Sequence, residues 1–273
     1  MLLAGVAQAA TFETRTVPFA PSPEQQAALQ RLADAPVTPF TAATFTAPDG
    51  TVLPYRLAGP GEGAGRPLVV LLHGAGSMGE DNAAQLDPFV KAWTAPEVAA
   101  RFPALLVVPQ VAVRSAEYAT GADGLRAARP GASFPALMAL VEHLSRTLPI
   151  DRSRVYLVGF SMGASAALVA SAAEPERFAG VVAFSGVPPE RSLAARAAGT
   201  PAMLVHGTRD ESNPFDAARA WAAALAEAGA KPLFVAYEGM DHRVPPDTAL
   251  APEWRDWLFG QRLAPDRPGV PPR

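Results

Sequence analysis

Short and almost wholly apolar runs recur along the chain from residue 68 onward, separated by longer stretches with helical character. Runs without polar alternation are typical of strands that are buried on both faces of a parallel sheet. The predicted strands are Leu68–Leu72, Ala104–Val108, Val155–Val158, Gly180–Phe184, Ala202–Val205 and Leu233–Tyr237.

Helical stretches lie between these runs, and regular alternation of the two indicates an α/β fold with a mostly parallel, doubly wound sheet and helices on both faces. Ligands of such sheets bind outside the carboxyl ends of the strands. The predicted helices lie near Asn82–Trp93, Phe134–Leu148, Met162–Ala173, Phe215–Ala228 and Glu253–Phe259.

The chain before residue 68 has a different pattern. Ser22-Pro23-Glu24-Gln25 predicts a capped helix, with a proline in its first turn and a glutamine that completes a capping box. Phe40–Thr46 and Thr51–Leu57 flank Pro48-Asp49-Gly50, which predicts an antiparallel hairpin at a sheet edge. We therefore assign residues 11–65 to an N-terminal helix and edge hairpin and residues 66–260 to the core of the same domain.

Three segments fall outside this pattern. Residues 111–132 carry arginines and glycines without a clear period, so we expect a long loop or lid over the strand ends. Residues 261–273 form a proline-rich tail. Residues 1–10 form a short apolar segment that ends in Ala7-Gln8-Ala9, as a signal-peptide remnant does, which predicts a secreted or periplasmic protein. The segment has no basic residue, so a cytoplasmic location stays open.

Composition narrows the possible partners. The 273 residues carry 23 Lys and Arg against 26 Asp and Glu, a formal charge of −3, and no basic cluster that would favour nucleic acid or an anionic membrane. No later apolar run approaches the ~20 residues of a membrane span. Without cysteine there is no disulfide, no thiolate catalysis and no cysteine-based zinc site. We expect a small neutral or mildly polar partner, and the oligomeric state stays open.

The motif Gly159-Phe160-Ser161-Met162-Gly163 joins a predicted strand to a predicted helix. In this context the chain turns so sharply at the serine that side chains two residues away on either side would collide, and glycine removes the collision. The turn exposes the serine oxygen at the strand end, near the N–H groups that begin the helix. Ser161 is therefore the candidate nucleophile.

A serine hydroxyl needs a general base within hydrogen-bond reach, and the chain has four histidines. His242 lies in a loop after the last predicted strand, where it could reach a serine at the sheet edge. The base needs a carboxylate to orient it, and Asp210 follows the strand Ala202–Val205. Among the rival acids Glu211, Glu238 and Asp241, the last adjoins the histidine and would fold back on its ring with difficulty.

An oxyanion that forms on the substrate needs backbone donors. The Met162 N–H, directly after the nucleophile, is one candidate. The segment Leu71–Gly76 ends the first parallel strand with small residues that expose backbone amides, and Ala75 is the second candidate.

Together these features resemble α/β-hydrolases of the phospholipase/carboxylesterase, peptidase and polyhydroxybutyrate-depolymerase types, over about residues 66 to 260. The resemblance implies an α/β-hydrolase fold and independently supports Ala75 as an oxyanion donor. Ala164 departs from the family pattern, in which glycine is common at that position. The matching segments are His73-Gly74-Ala75-Gly76, Gly79-Glu80-Asp81-Asn82, Val107-Val108-Pro109-Gln110, Asp151-x-x-Arg154, the serine motif, Gly207-x-x-Asp210 and His242.

We assign His73, Phe160 and Gln110 as candidate substrate-binding residues. A structural role of His73 in its loop and core packing of Phe160 stay open as alternatives, and Asp81 or Asn82 could simply cap the following helix. No cluster has metal-ligand spacing, so we predict no metal and no cofactor.

These observations predict a serine hydrolase that cleaves small or oligomeric carboxylic esters through Ser161, His242 and Asp210 and an acyl-enzyme. The alternatives are a serine peptidase with the same triad and a non-catalytic binding protein on a hydrolase scaffold. The acyl and alcohol preferences do not follow from the sequence.

Overall fold

The computed structural model describes residues 11–59 and 65–263, and a nine-stranded sheet forms its centre. The strands run in the order β1-β11-β10-β9-β8-β4-β5-β3-β2, and β6 and β7 form a separate two-stranded hairpin. The strands are β1 Glu13–Pro18, β2 Thr41–Thr46, β3 Val52–Ala58, β4 Arg66–Leu72, β5 Leu105–Pro109, β6 Ala116–Thr120, β7 Arg126–Pro130, β8 Ile150–Phe160, β9 Gly180–Phe184, β10 Ala202–Gly207 and β11 Leu233–Glu238.

Most neighbouring strands are parallel. The ladder is parallel from β5 through β4, β8, β9, β10 and β11 to β1, and only β3 and β2 pair antiparallel at the other edge. The chain passes from β4 to β5 on one side and returns to β8 on the other, so the strand order reverses between β4 and β8. This reversal opens a crevice at the carboxyl ends of these two strands, where ligands of such sheets bind.

Helices cover both faces of the sheet, and alternate side chains of each strand face opposite layers. From β4, Leu68 and Val70 enter a cluster with α4, α5 and α7, whereas Val69 and Leu71 enter a second cluster with residues of α2, α3 and α8. The helices are α1 Pro23–Asp34, α2 Pro88–Lys91, α3 Pro96–Arg101, α4 Phe134–Thr147, α5 Met162–Ala173, α6 Ala194–Ala197, α7 Phe215–Glu227 and α8 Glu253–Phe259.

The predicted fold class is confirmed: the sheet is mostly parallel and doubly wound, with an antiparallel hairpin of β2 and β3 at one edge. The capped helix is also confirmed, because the Ser22 hydroxyl accepts the Gln25 N–H and the Gln25 side chain accepts the Ser22 N–H.

Three predictions about elements were wrong or incomplete. The strand β1 was missed because its residues are mostly exposed and polar, and only pairing with β11 makes them a strand. Residues 111–132 are not an irregular loop, since they contain the β6–β7 hairpin. The helix expected over Asn82–Trp93 begins only at Pro88, where the Asp87 carboxylate accepts the Val90 N–H.

The turn before α2 is held by Asp81, whose Oδ1 accepts the N–H groups of Ala83 and Ala84 at 2.9 and 3.1 Å. Asp81 therefore closes a turn and does not cap a helix. No helix among the described residues is long and apolar enough to cross a membrane. The leader predicted for residues 1–10 and most of the tail predicted for residues 261–273 lie outside the described residues.

Candidate active site

Ser161 stands at the junction of β8 and α5 in a strained backbone conformation, with φ 53° and ψ −116°. The predicted collision is present at this turn: a Cβ added to Gly159 would lie 2.4 Å from the carbonyl carbon of Gly163. The Ser161 N–H donates to the Phe184 carbonyl at 2.9 Å, which ties the turn to the end of β9. The strained backbone of Ser161 is therefore fixed by its hydrogen bond to β9 on one side and by α5 on the other.

His242 lies between Ser161 and Asp210. Its Nε2 is 2.8 Å from Ser161 Oγ, and its Nδ1 is 2.8 Å from Asp210 Oδ2. Because an ionised carboxylate can only accept, Nδ1 carries the proton and Nε2 is left to accept the serine hydroxyl. Both ring nitrogens are thus occupied, which leaves none for the rival acids; Asp241 instead pairs with Arg243.

The Asp210 carboxylate is fully buried and heavily hydrogen-bonded. Its Oδ1 accepts the N–H groups of Ser212 and Asn213 at 3.0 and 2.8 Å, and His206 Nε2 lies 3.3 Å from Oδ2. Burial raises the pKa of Asp210, but hydrogen bonds from His206, His242 and the Asn213 N–H outweigh burial and hold the pKa well below its usual range. Asp210 is therefore an anion at neutral pH.

The segment after His242 is fixed by α8. Arg255 is fully buried and donates to the carbonyls of Ala249 and Ala251 at 2.7 and 2.8 Å, while Trp254 Nε1 donates to Thr248 O at 2.8 Å. These bonds satisfy carbonyls at the end of the 3₁₀ turn Pro246–Thr248 and directly after it. His242 thus projects from a loop whose downstream end is immobilised.

The two predicted oxyanion donors each begin a helical turn near Ser161. Met162 is the first residue of α5 and Ala75 the first of the 3₁₀ turn Ala75–Ser77, so neither N–H has a partner within its own turn. A Cβ added to Gly74 would lie 3.5 Å from Ser161 Cβ, and one added to Gly163 would lie 2.1 Å from the Leu72 carbonyl oxygen. Close backbone approach at these glycines sets the Ala75 turn beside Ser161.

Two of the three candidate substrate-binding residues have structural positions. Both polar atoms of the Gln110 amide form hydrogen bonds within the protein. Its Oε1 accepts the Asn82 N–H at 2.6 Å, and its Nε2 donates to Asp81 Oδ1 at 2.8 Å. His73 is buried, with Nε2 accepting the Val111 N–H at 3.1 Å and Nδ1 2.7 Å from Gly74 O. These side chains brace the loops after β4 and β5, and their assignment to substrate binding stays a prediction.

Phe160, the third candidate, packs against the imidazole of His242. Its ring centroid lies 5.1 Å from that of His242 with an interplanar angle of 32°, and the side chain is only half-buried. The contact supports the base from one side and leaves the assignment of Phe160 to substrate binding as a prediction.

Sequence reasoning missed Ser165 and Asn213. Ser165 Oγ donates to the Ser161 carbonyl at 3.0 Å and accepts the Val187 N–H at 2.9 Å, while Asn213 Nδ2 donates to Ser185 O at 2.6 Å. The i+4 spacing of Ser165 from the nucleophile on α5 was the only local signal for either residue. His206 donates from Nε2 to Asn213 O at 2.8 Å.

The structure also bears on metal binding. Across the described ranges no group of three or more His, Cys, Asp or Glu side chains is placed to hold a metal ion.

The sheet order and this arrangement of serine, histidine and aspartate are those of the α/β-hydrolase fold. A phospholipase/carboxylesterase family model matches residues 124–249, so this part of the chain is similar to that family.

Two relatives carry esterase names. "Putative esterase NocK" of Nocardia uniformis subsp. tsuyamanensis is 30% identical over 215 residues, which cover 72% of this chain and 58% of that protein. "Probable carboxylesterase" of Oryza sativa subsp. japonica is 27% identical over 204 residues, which cover 64% of this chain and 80% of that protein.

Solved structures show the same fold. A thermostable esterase matches with a TM-score of 0.73 at 28% identity, over 83% of this chain and 64% of that one. The chain thus spans less than two thirds of NocK and of this esterase. Dipeptidyl peptidase structures from Bacteroides ovatus and Porphyromonas gingivalis, at 17% and 12% identity, share the fold alone.

Proposed function

We propose that the protein hydrolyses carboxylic esters through an acyl-enzyme on Ser161. The observation that carries the proposal is the continuous hydrogen-bonded path from Ser161 Oγ through His242 to Asp210, with both contacts at 2.8 Å. The esterase names of the relatives agree with this chemistry.

Acylation begins when Ser161 Oγ attacks the ester carbonyl carbon and its proton passes to His242 Nε2. The carbonyl π electrons move onto oxygen, where the N–H groups of Met162 and Ala75 stabilise the negative charge. The Asp210 carboxylate stabilises the imidazolium and keeps the ring in its tautomer. Collapse of the tetrahedral adduct breaks the bond to the alcohol oxygen, which takes the proton from Nε2.

Water repeats the cycle on the acyl-enzyme. It gives one proton to His242 Nε2 as its oxygen attacks the acyl carbon, and the proton then returns to Ser161 Oγ when the carboxylic acid leaves. The net reaction is ester plus water to acid plus alcohol, and no cofactor enters it.

Ser161→Ala tests the assignment of the nucleophile. We expect at least a 10³-fold loss of kcat/KM on p-nitrophenyl esters, because removing the nucleophile abolishes the acyl-enzyme route. Labelling by a fluorophosphonate should vanish with it, as read by intact-protein mass spectrometry.

The exposed Ser192→Ala variant serves as the matched control and should keep wild-type turnover and labelling. Undiminished activity in Ser161→Ala would contradict the proposal. Stoichiometric labelling of the wild-type protein would exclude a non-catalytic scaffold, and faster cleavage of matched aminoacyl amides than of esters would favour a peptidase.

A further inference from the structure

A polar cavity of about 480 Å³ lies against His242, on a side of the imidazole that Phe160 does not line. Its volume falls within the range of ~300–1,000 Å³ that is usual for small-molecule sites. The other lining residues are Phe19, Arg209, Glu211, Ser212, Gly239, Asp241 and Arg243.

The position of this cavity relates it to one part of the substrate. In the proposed reaction the leaving alcohol oxygen takes its proton from His242 Nε2, so that oxygen must lie within hydrogen-bond reach of the ring. The carbonyl oxygen instead faces the amides of Ala75 and Met162. The cavity is lined by His242 and by none of Ser161, Ala75 and Met162, so the part of the ester that approaches His242, the alcohol, can extend into it from the reacting carbon.

The chemistry of the lining restricts the alcohol. Only Phe19 presents an apolar surface, and the Arg243 guanidinium lies 5.5 Å from the centroid of its ring. Arg209 and Glu211 flank Asp210 in sequence, and both are exposed. Neither forms an ion pair or a side-chain hydrogen bond within the described part of the chain, so their polar groups are available to a ligand.

An alkyl alcohol in this cavity would displace water from charged groups without replacing its hydrogen bonds, which is costly. A hydroxyl-rich alcohol would replace them. The charges of the lining balance, because Arg209 and Arg243 oppose Glu211 and Asp241, and Arg243 donates from Nε and Nη2 to Asp241. A balanced lining gives no net attraction to an ionic alcohol.

We propose, on the basis of the ester hydrolase function above, that this cavity binds the leaving group and selects esters of neutral polyols such as glycerol or a sugar. Arg209 and Glu211 are the specificity-determining residues. Both hold hydroxyl groups of the alcohol while His242 protonates its ester oxygen.

The test is a series of butyrate esters that differ only in the alcohol. All of them form the same acyl-enzyme and share its hydrolysis, so differences in kcat/KM report the steps through acylation. We expect glyceryl and glucosyl butyrate to exceed n-butyl butyrate by about tenfold or more, as expected where a site hydrogen-bonds substrate hydroxyls. Choline butyrate and the butyrate ester of glycolate, with a cationic and an anionic alcohol, should fall below glyceryl butyrate.

Arg209→Leu and Glu211→Leu should each lower the glyceryl-to-butyl ratio of kcat/KM at least fivefold. Arg219→Leu and Glu97→Leu, exposed positions away from the cavity, are the matched controls and should keep the wild-type ratio. Loss of folded protein affects both substrates equally and cancels in the ratio.

Equal or faster cleavage of n-butyl butyrate by the wild-type enzyme, a preference for an ionic alcohol, or an unchanged ratio in both leucine variants would overturn this inference. These outcomes differ from failure of the proposed function, in which neither p-nitrophenyl butyrate nor any other ester is turned over and the fluorophosphonate does not label Ser161.

Discussion

A second buried imidazole stands beside the Asp210 carboxylate. His206 is 1% exposed, and its Nε2, which donates to Asn213 O, also lies 3.3 Å from Asp210 Oδ2. Because it contacts no reacting atom of the proposed mechanism, His206 is a positioning residue. It acts by holding both the conformation and the charge of Asp210.

His206→Leu should lower kcat/KM on a p-nitrophenyl ester about tenfold at pH 8, since a hydrogen bond to a charged group contributes about 1.5–3 kcal/mol. The loss should grow as the pH falls below about 4, because removing His206 raises the pKa of Asp210 and the carboxylate takes up its proton at higher pH. The measurement is a pH profile of kcat/KM.

His206→Gln, which retains a side-chain N–H donor, should recover part of the activity, and the exposed His143→Leu should match the wild type. A loss that is the same at every pH would mean that His206 only packs the core.

At the level of elements, the site depends on how closely β4, β8 and α5 approach one another. Gly163 packs the first turn of α5 onto the Leu72 carbonyl, and Gly159 lets β8 pass beneath the same turn. Ala164, the departure from the family pattern, is accommodated because Gly186 faces its Cβ: a Cβ added to Gly186 would lie 2.7 Å from it. Small residues on several elements thus place the Ala75 turn next to Ser161.

Gly163→Ala should destabilise the fold by about 1–3 kcal/mol, because the new methyl would overlap the Leu72 carbonyl oxygen and force the elements apart. The same displacement should separate the oxyanion donors and lower kcat at least tenfold. Chemical denaturation and steady-state kinetics measure the two effects.

Gly76→Ala is the matched control, since its added methyl meets no atom within 4 Å. Wild-type stability and kcat in Gly163→Ala would show that the close approach is not required.

At the level of the whole molecule, two buried titratable groups link stability to pH. His73 joins the end of β4 to the segment after β5 through its bond from the Val111 N–H. Burial lowers the pKa of His73 from its ordinary 6.5, opposed by the hydrogen bond to Gly74 O. The pKa of Asp210 lies below its ordinary 3.8.

The signs of these shifts predict a decline in stability in two stages as the pH falls. Below about pH 6.5 the unfolded chain binds a proton at His73 that the folded chain resists, so the free energy of unfolding drops. Below about pH 4 the stabilisation from ionised Asp210 is lost in turn. Calorimetry from pH 8 to pH 3 measures both stages.

His73→Gln should flatten the stage between pH 6.5 and pH 5 and leave the more acidic stage in place. An unchanged slope in that variant would contradict the assignment of the upper stage to His73.

Local pattern determined much of this protein. The apolar runs of β4, β5 and β8 to β11 were readable because strands that are buried on both faces need an apolar residue at every position. The elbow at Ser161 was readable because the collision it must avoid lies within five consecutive residues. Chain order and position at the strand ends also pointed to Asp210 and His242, which the structure brings within hydrogen-bond reach.

Tertiary structure decided what depends on partners distant in the sequence. Polar strands such as β1 and β6 exist because another strand completes their hydrogen bonds, and their own side chains carry no apolar period. His73 and Gln110 lie at strand ends, where substrate-binding residues are expected. In the structure, however, His73 Nε2 accepts the Val111 N–H and Gln110 Oε1 accepts the Asn82 N–H. The cavity at His242 joins Phe19 to residues 209–243. The sequence pattern indicates which backbone conformation a segment prefers. Whether a polar side chain is free to bind a ligand depends on the groups that the rest of the fold places around it.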